Sequence, residues 1–321
     1  MNAIECLGVR KTYPHFSLKD VDLILPEGSV MGFVGPNGAG KSTTLRIVMG
    51  LIHQDAGEVR VLGHRMPSEQ IAAKWDIGFV SEDMRLYPGR TIGFHMDFMR
   101  SIFDSWDDAY ASRLLDRFDL VADQKIKGLS HGQRVKAALL LTFARRPKLL
   151  VFDEPTTGLD PVARVEVLDE MMRVLEDETR SILFSSHNTL DVEQISDHIT
   201  FINGGKIISS EDKETFLDAW RRLRLVVPDG FELPDLPNVA DVQKAGHQMV
   251  ITSSNYSPDL ETRITSAGAQ LSEVERLTLE EIFIASVQAA KRGDQQKTTG
   301  GSAPEGNPDG GDTFAEKGEV A

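Results

Sequence analysis

The run Gly35-Pro36-Asn37-Gly38-Ala39-Gly40-Lys41-Ser42-Thr43 sets glycines, a lysine and two hydroxyls between the apolar segments VMGFV and LRIVMG. Gly35, Gly40, Lys41 and Ser42 satisfy the pattern G-x-x-x-x-G-K-[ST]. Glycines let a loop curl so that successive backbone N–H groups point inward at a polyphosphate. The helix expected to begin near Lys41 aims its positive dipole end at the same anion. Lys41 is placed to reach the outer phosphates, and the Ser42 hydroxyl to ligate Mg2+.

A second group lies far downstream. PKLLVFDEP runs apolar residues into Asp153 and Glu154. An acidic residue at the end of a buried strand beside a phosphate loop holds Mg2+, directly or through water. Glu154 then stands where it can polarise an attacking water. In SILFSSH a third strand ends on His187, which reads either as a histidine capping a turn or as a group at the phosphate.

These groups need a scaffold, and the apolar pattern supplies one. IECLGV, DVDLIL, SVMGFV, EVRVL, IGFVS, KLLVFDE, SILFSSH and HITFING read as strands, several of them apolar enough to be covered on both faces. Over about 90–145 the strand signal gives way to helical spacing in TIGFHMDFMRSIF, DDAYASRLLDRFDL and QRVKAALLLTFARR. An α/β domain over 1–210 with a helical insert is therefore expected. Over 211–290 a smaller α+β unit is expected. Its helix EDKETFLDAWRR is followed by strands RLRLVV, ADVQKA and QMVITS, a proline-rich loop PDGFELPDLP, the helix PDLETRITSAG, QLSEVE and TLEEIFIASVQAA. Residues 291–321, rich in glycine and polar groups, are expected to be disordered.

Composition bounds the function. The chain has 321 residues, 40% of them hydrophobic, and a formal net charge of −14, which disfavours nucleic acid and anionic lipid as partners. The single cysteine, Cys6, lies in an apparent strand and reads as a structural thiol suited to a reducing cytoplasm. No signal peptide is evident, and no apolar run approaches the roughly 18–20 residues needed to span a bilayer.

KGLSHGQRVKAALLLTFARRPKLLVFDEPTTGLDP resembles the signature helix, Walker B strand and D-loop of the ATP-binding cassette (ABC) ATPases. Leu129 to Gln133 match the family's LSGGQ with His131 in place of its first glycine, and Gly158, Leu159 and Asp160 match its D-loop. The resemblance covers about residues 3–210. It implies a P-loop NTPase cassette with a mixed central sheet, binding ATP and Mg2+, that pairs head to tail with a second cassette; the complete motif set lets a homodimer work, and a heterodimer stays open. Ser130, Gly132, Gln133 and Asp160 would then meet a nucleotide held by the opposite phosphate loop. It also implies Glu154 as the group activating water, His187 as the switch histidine, and Tyr13 as the aromatic on adenine, a role for which His15 and Phe16 compete. Glu82 falls where the family has its Q-loop glutamine, so a carboxylate would stand near the metal.

The expected function is the ATP-hydrolysing subunit of a membrane transporter, peripheral on the cytoplasmic face and docked on separate membrane-spanning permease subunits. LTLEEIFIASV resembles the closing helix of single-cassette export subunits. The alternative is a soluble ABC ATPase acting on ribosomes or DNA. One cassette, the absence of a heptad run and the acidic charge weigh against it.

Overall fold

The computed structural model describes residues 1–177 and 179–299, with side chains described through residue 289. In chain order the elements are β1 (Asn2–Tyr13), β2 (Phe16–Pro26), β3 (Val30–Val34), α1 (Lys41–Val48), β4 (Ala56–Val61), β5 (His64–Arg65), α2 (Gln70–Trp75) and β6 (Ile77–Ser81). There follow α3 (Ile92–Ile102), α4 (Asp108–Arg117), α5 (His131–Phe143), β7 (Leu149–Asp153), α6 (Pro161–Val174), β8 (Ser181–Ser186), α7 (Thr189–Ile195), β9 (His198–Asn203) and β10 (Lys206–Asp212). The rest are α8 (Lys213–Ala219), β11 (Arg221–Val226), β12 (Val239–Ala245), β13 (Gln248–Ser253), α9 (Pro258–Ser266), β14 (Gln270–Arg276) and α10 (Leu279–Thr299).

Three sheets result. β2-β1-β4-β5 is antiparallel; β10-β9-β3-β8-β7-β6 is parallel except for its β9–β10 pair; β12-β13-β11-β14 is antiparallel. Every residue of β3, β7 and β8 is buried, as expected of strands covered on both faces. Register then does the work of bringing distant sequence together. Val34 pairs with Ser186, Asp153 with Ser185, and Ser81 with Asp153. Parallel neighbours end on the same edge of a sheet, so the segments after β3, β6, β7 and β8 emerge side by side. That edge carries the candidate chemistry.

Helix α7 lies close against β3, where Gly32 has no alternative: a Cβ there would come 2.3 Å from Val192. Helices α3 to α5 intervene between β6 and β7, as the helical spacing over 90–145 requires. The Tyr110 hydroxyl on α4 donates to Glu170 on α6 at 2.6 Å in the interior, and burial together with this carboxylate pushes the phenol pKa up.

Beyond β9 the chain departs from the sequence reading in three places. β10 extends the main sheet to Asp212, through a segment given no element and into the start of the expected helix EDKETFLDAWRR, so the expected boundary at 210 falls inside a strand. Helix α8 stops at Ala219, because Arg221 and the residues after it join β11. The small sheet and α9 have their own apolar core, built on Leu223, Leu225, Ile251, Leu260 and Ile264. Phe216, Trp220, Leu279 and Ile282, however, pack into the core of the main sheet with Val192, Ile195 and Phe201. The Phe201 ring meets Phe216 and Phe283 at centroid distances of 5.3 and 5.1 Å. Helix α10 continues to Thr299, into the segment expected to be structureless, and 300–321 lie outside the described residues.

Candidate functional site

The loop after β3 turns through Gly38 (φ 77°) and Gly40 (φ 114°), conformations that side-chain-bearing residues rarely adopt, and leads into α1 at Lys41. Pro36, Asn37 and Gly38 are exposed, Gly35, Ala39, Gly40 and Lys41 are buried, and Ser42 and Thr43 are half-buried. The Lys41 ammonium is 5% exposed as a residue; it donates to the Gly35 carbonyl at 2.7 Å and to that of Pro36 at 3.4 Å. It also faces Glu154 Oε1 at 3.1 Å.

The end of β7 is tied to its neighbours by one hydroxyl. Ser185 Oγ donates to Asp153 Oδ1 at 2.7 Å and accepts the Glu154 amide at 3.0 Å. Ser42 Oγ donates to the same Asp153 oxygen at 3.1 Å. A hydroxyl and a buried carboxylate oxygen thus converge beside the phosphate-type loop. This is an oxygen donor pair of the kind that shares Mg2+ with substrate phosphates and water.

Glu154 has φ 55°, in the left-handed region, at a cost of about 1–3 kcal/mol for a residue with a side chain. Such strain persists only where surrounding contacts fix it. Here Glu154 Oε2 accepts from His187 Nδ1 at 2.7 Å and from the Thr157 hydroxyl at 3.0 Å, while Oε1 faces Lys41. Burial by itself would raise the Glu154 pKa. The Lys41 charge, with hydrogen bonds from Lys41, His187 and Thr157, outweighs it and holds the carboxyl below its ordinary range. The group stays ionised and is held at both oxygens. Asp191, on α7, is buried and accepts from Thr156 and Arg164, anchoring the segment after Glu154 from the other side.

The structure therefore gathers Lys41, Ser42, Asp153, Glu154 and His187. It treats the other expected site residues differently. Ser130 is the N-cap of α5: its hydroxyl accepts the Gln133 amide at 3.1 Å, and the Gln133 side chain accepts the Ser130 amide at 3.0 Å. Asp160 caps α6 through the amides of Val162 and Ala163, both at 3.0 Å, and these bonds lower its pKa. Among the described residues, Ser130, Gly132, Gln133 and Asp160 share no hydrogen bond with Lys41, Ser42 or Asp153.

Tyr13 stands exposed at the end of β1 with the Lys11 ammonium 5.8 Å from its ring centroid. Phe16, its cross-strand partner, is the aromatic that reaches the phosphate-type loop, 2.8 Å from where a Gly40 Cβ would be. Glu82 is exposed just past Ser81. It lines a cavity of about 350 Å³ together with Val80, Leu86, Val135, Asp153 and Glu154.

A family model described as ABC transporter matches residues 18–157. The ABC transporter ATP-binding protein YtrB of Bacillus subtilis is 27% identical over 86% of this chain and 94% of its own length. The Nod factor export ATP-binding protein I of Bradyrhizobium diazoefficiens is 32% identical over 67% of this chain and 72% of its own length. This chain belongs to the ABC transporter ATP-binding proteins.

The daunorubicin/doxorubicin resistance ATP-binding protein DrrA of Streptomyces peucetius is 35% identical over 64% of each chain. Among solved structures, the ATP-binding subunit of an ABC transporter superposes with a TM-score of 0.61 at 24% identity, covering 67% of this chain. A cassette in a dimeric post-hydrolysis state bound to ADP and Pi superposes with a TM-score of 0.59 at 24% identity, over 65% of this chain. These likenesses establish the cassette fold: an α/β unit with a mixed central sheet and a helical insert. The site residues that sequence reasoning missed are Ser185, Thr157 and Asp191. The first stands in SILFSSH where the apolar run ILF gives way to two serines at the strand end.

Proposed function

We propose that this cassette is the ATP-hydrolysing subunit of a membrane exporter, working as a homodimer on separate membrane-spanning permease subunits. The observation that carries the hydrolytic reading is the convergence of Lys41 and His187 on one ionised carboxylate, Glu154, next to the Ser42–Asp153 pair. Backbone amides of the loop 35–43 and the α1 N-terminus hold the phosphates. Lys41 neutralises charge growing on the transferring phosphoryl group. Glu154 accepts a proton from the attacking water, and His187 orients it through Nδ1. Ser42 and Asp153 would hold Mg2+, which when bound supplies charge neutralisation between phosphates.

Ser130 and Gly132 of one copy would complete the site of the other. No helix among the described residues is long and apolar enough to cross a membrane, so transport needs a partner that does. Export is supported by the names of relatives such as the linearmycin and daunorubicin/doxorubicin resistance proteins and the Nod factor export protein. On this reading the chain sits on the inner face of the cell membrane, and the substrate is chosen by the permease. The net charge of −14 gives no basis for nucleic-acid binding.

The test is to tag Glu154→Gln, trap it with ATP in mild detergent, and identify what co-purifies in stoichiometric amount. A multi-spanning protein is expected, with the cassette as a dimer. Recovery of ribosomal or DNA-bound proteins instead would overturn the transporter reading.

A further inference from the structure

The residue at which this cassette departs from the LSGGQ pattern contacts the catalytic segment of its own chain. His131 opens α5, and its Nε2 lies 3.2 Å from the Thr157 carbonyl oxygen. A carbonyl only accepts, so Nε2 carries the proton in this bond. The imidazole lies against Gly158: a Cβ there would come within 3.2 Å of Nε2 and 3.3 Å of Cδ2. One residue on, a Cβ at Gly132 would stand 3.5 Å from Leu159. The segment 157–159 is therefore seated on the first turn of α5.

We propose that His131 is a positioning residue for hydrolysis, holding Thr157 so that its hydroxyl keeps Glu154 in register for water. The chain of contacts is continuous. The Thr157 amide donates to the Glu154 carbonyl at 3.2 Å, and its hydroxyl donates to Glu154 Oε2 at 3.0 Å. His187 donates to that same oxygen through Nδ1 at 2.7 Å and through its backbone amide at 3.4 Å. These donors on one oxygen hold the carboxylate, leaving Oε1 toward Lys41. A glycine at position 131, as in the pattern, would have no side chain to make the first link. The link joins the signature turn to the water-activating group within one subunit, so the seating of Ser130 and Gly132 and the aim of Glu154 move together. His131 is exposed in the single chain, and a second cassette over the signature would exclude water from the bond and strengthen it.

This inference rests on Glu154 being the water-activating group, and the experiment separates the two. Steady-state ATPase of the full chain, with its permease where required for turnover, is measured for His131→Ala, His131→Gln, Thr157→Val and the double variant His131→Ala/Thr157→Val. Glu154→Gln is run beside them. His131→Ala is expected to lose about 3- to 10-fold in kcat, the kinetic equivalent of one neutral hydrogen bond. Its KM for MgATP should stay within about twofold, since no phosphate contact is removed. His131→Gln, whose amide N–H reaches the same carbonyl, should recover most of the rate. The double variant should be no slower than Thr157→Val, because His131 acts through Thr157.

Wild-type kcat in His131→Ala, a change confined to KM, a glutamine variant as slow as alanine, or multiplying losses in the double variant would each overturn the proposal. Normal turnover in Glu154→Gln would overturn the proposed function itself. Loss in Glu154→Gln with no effect at His131 would remove only this inference.

Discussion

Ser185→Ala is the most informative single substitution for the architecture of the site. Ser185 is fully buried, and its one hydroxyl serves two neighbouring acidic residues, donating to Asp153 Oδ1 and accepting the Glu154 amide. Alanine leaves the strand and its apolar packing in place and removes only the oxygen. The lost bond to a carboxylate is worth about 1.5–3 kcal/mol, and leaving the Glu154 amide without a partner costs about 1–3 kcal/mol. The two terms run through the same atom and are not additive, so a net loss of about 2–4 kcal/mol is expected. Urea unfolding followed by circular dichroism reads this as a lower midpoint at unchanged slope. Binding of MgATP should weaken as well, because Asp153 would keep only Ser42 as a hydroxyl donor on that oxygen. A stability change below about 0.5 kcal/mol, the ordinary range of an inconsequential substitution, would refute the claim that this hydroxyl organises the end of β7.

Glu154→Gln should keep ATP binding while turnover falls by about 10²- to 10⁴-fold, the usual contribution of a positioned general base; stopped-flow phosphate release against nucleotide binding checks it. Lys41→Ala should lose nucleotide affinity or turnover, and equilibrium binding of a fluorescent ATP analogue distinguishes the two. The Glu154 carboxyl has its pKa lowered from 4.5 in the folded chain, so its contribution to stability is present above that value and lost as pH falls through the folded one. Acid unfolding curves below about pH 4.5 should therefore be shallower for Glu154→Gln than for the parent, and parallel curves would contradict the assignment. Phe216→Ala, at a 3% exposed ring joining α8 to the main core, should cost about 3–5 kcal/mol. It should also split thermal unfolding into two transitions, whereas a single unshifted transition would show that α8 is not what joins the small sheet to the cassette.

Local chemistry was legible in the chain wherever one segment suffices to specify it. The glycine loop entering α1, the apolar strands before Asp153 and His187 and the helical spacing between β6 and β7 are all written in runs of a few residues. The single cysteine was read as a structural thiol, and burial pushes the Cys6 pKa up to about 12. β10 escaped because KIISSED is mostly polar, and it becomes a strand through pairing with β9 at the sheet edge. The joining of α8 and α10 to the main core escaped for a related reason: an amphipathic helix declares that it has a partner without declaring which.

In RKTYPHF the adenine role goes to Tyr13 with His15 and Phe16 competing, and in the hairpin it is Phe16 that reaches Gly40. Ser185 and Thr157 had ordinary sequence meanings, and His131 was only a departure from a pattern, until parallel pairing set Asp153 beside Ser185 and the loop after it folded back on α5. Residue type and spacing determine which groups can do phosphate chemistry, because backbone conformation and charge are local properties. Which groups share an oxygen is determined by strand order and register, because those bring atoms from distant parts of the chain to within 3 Å.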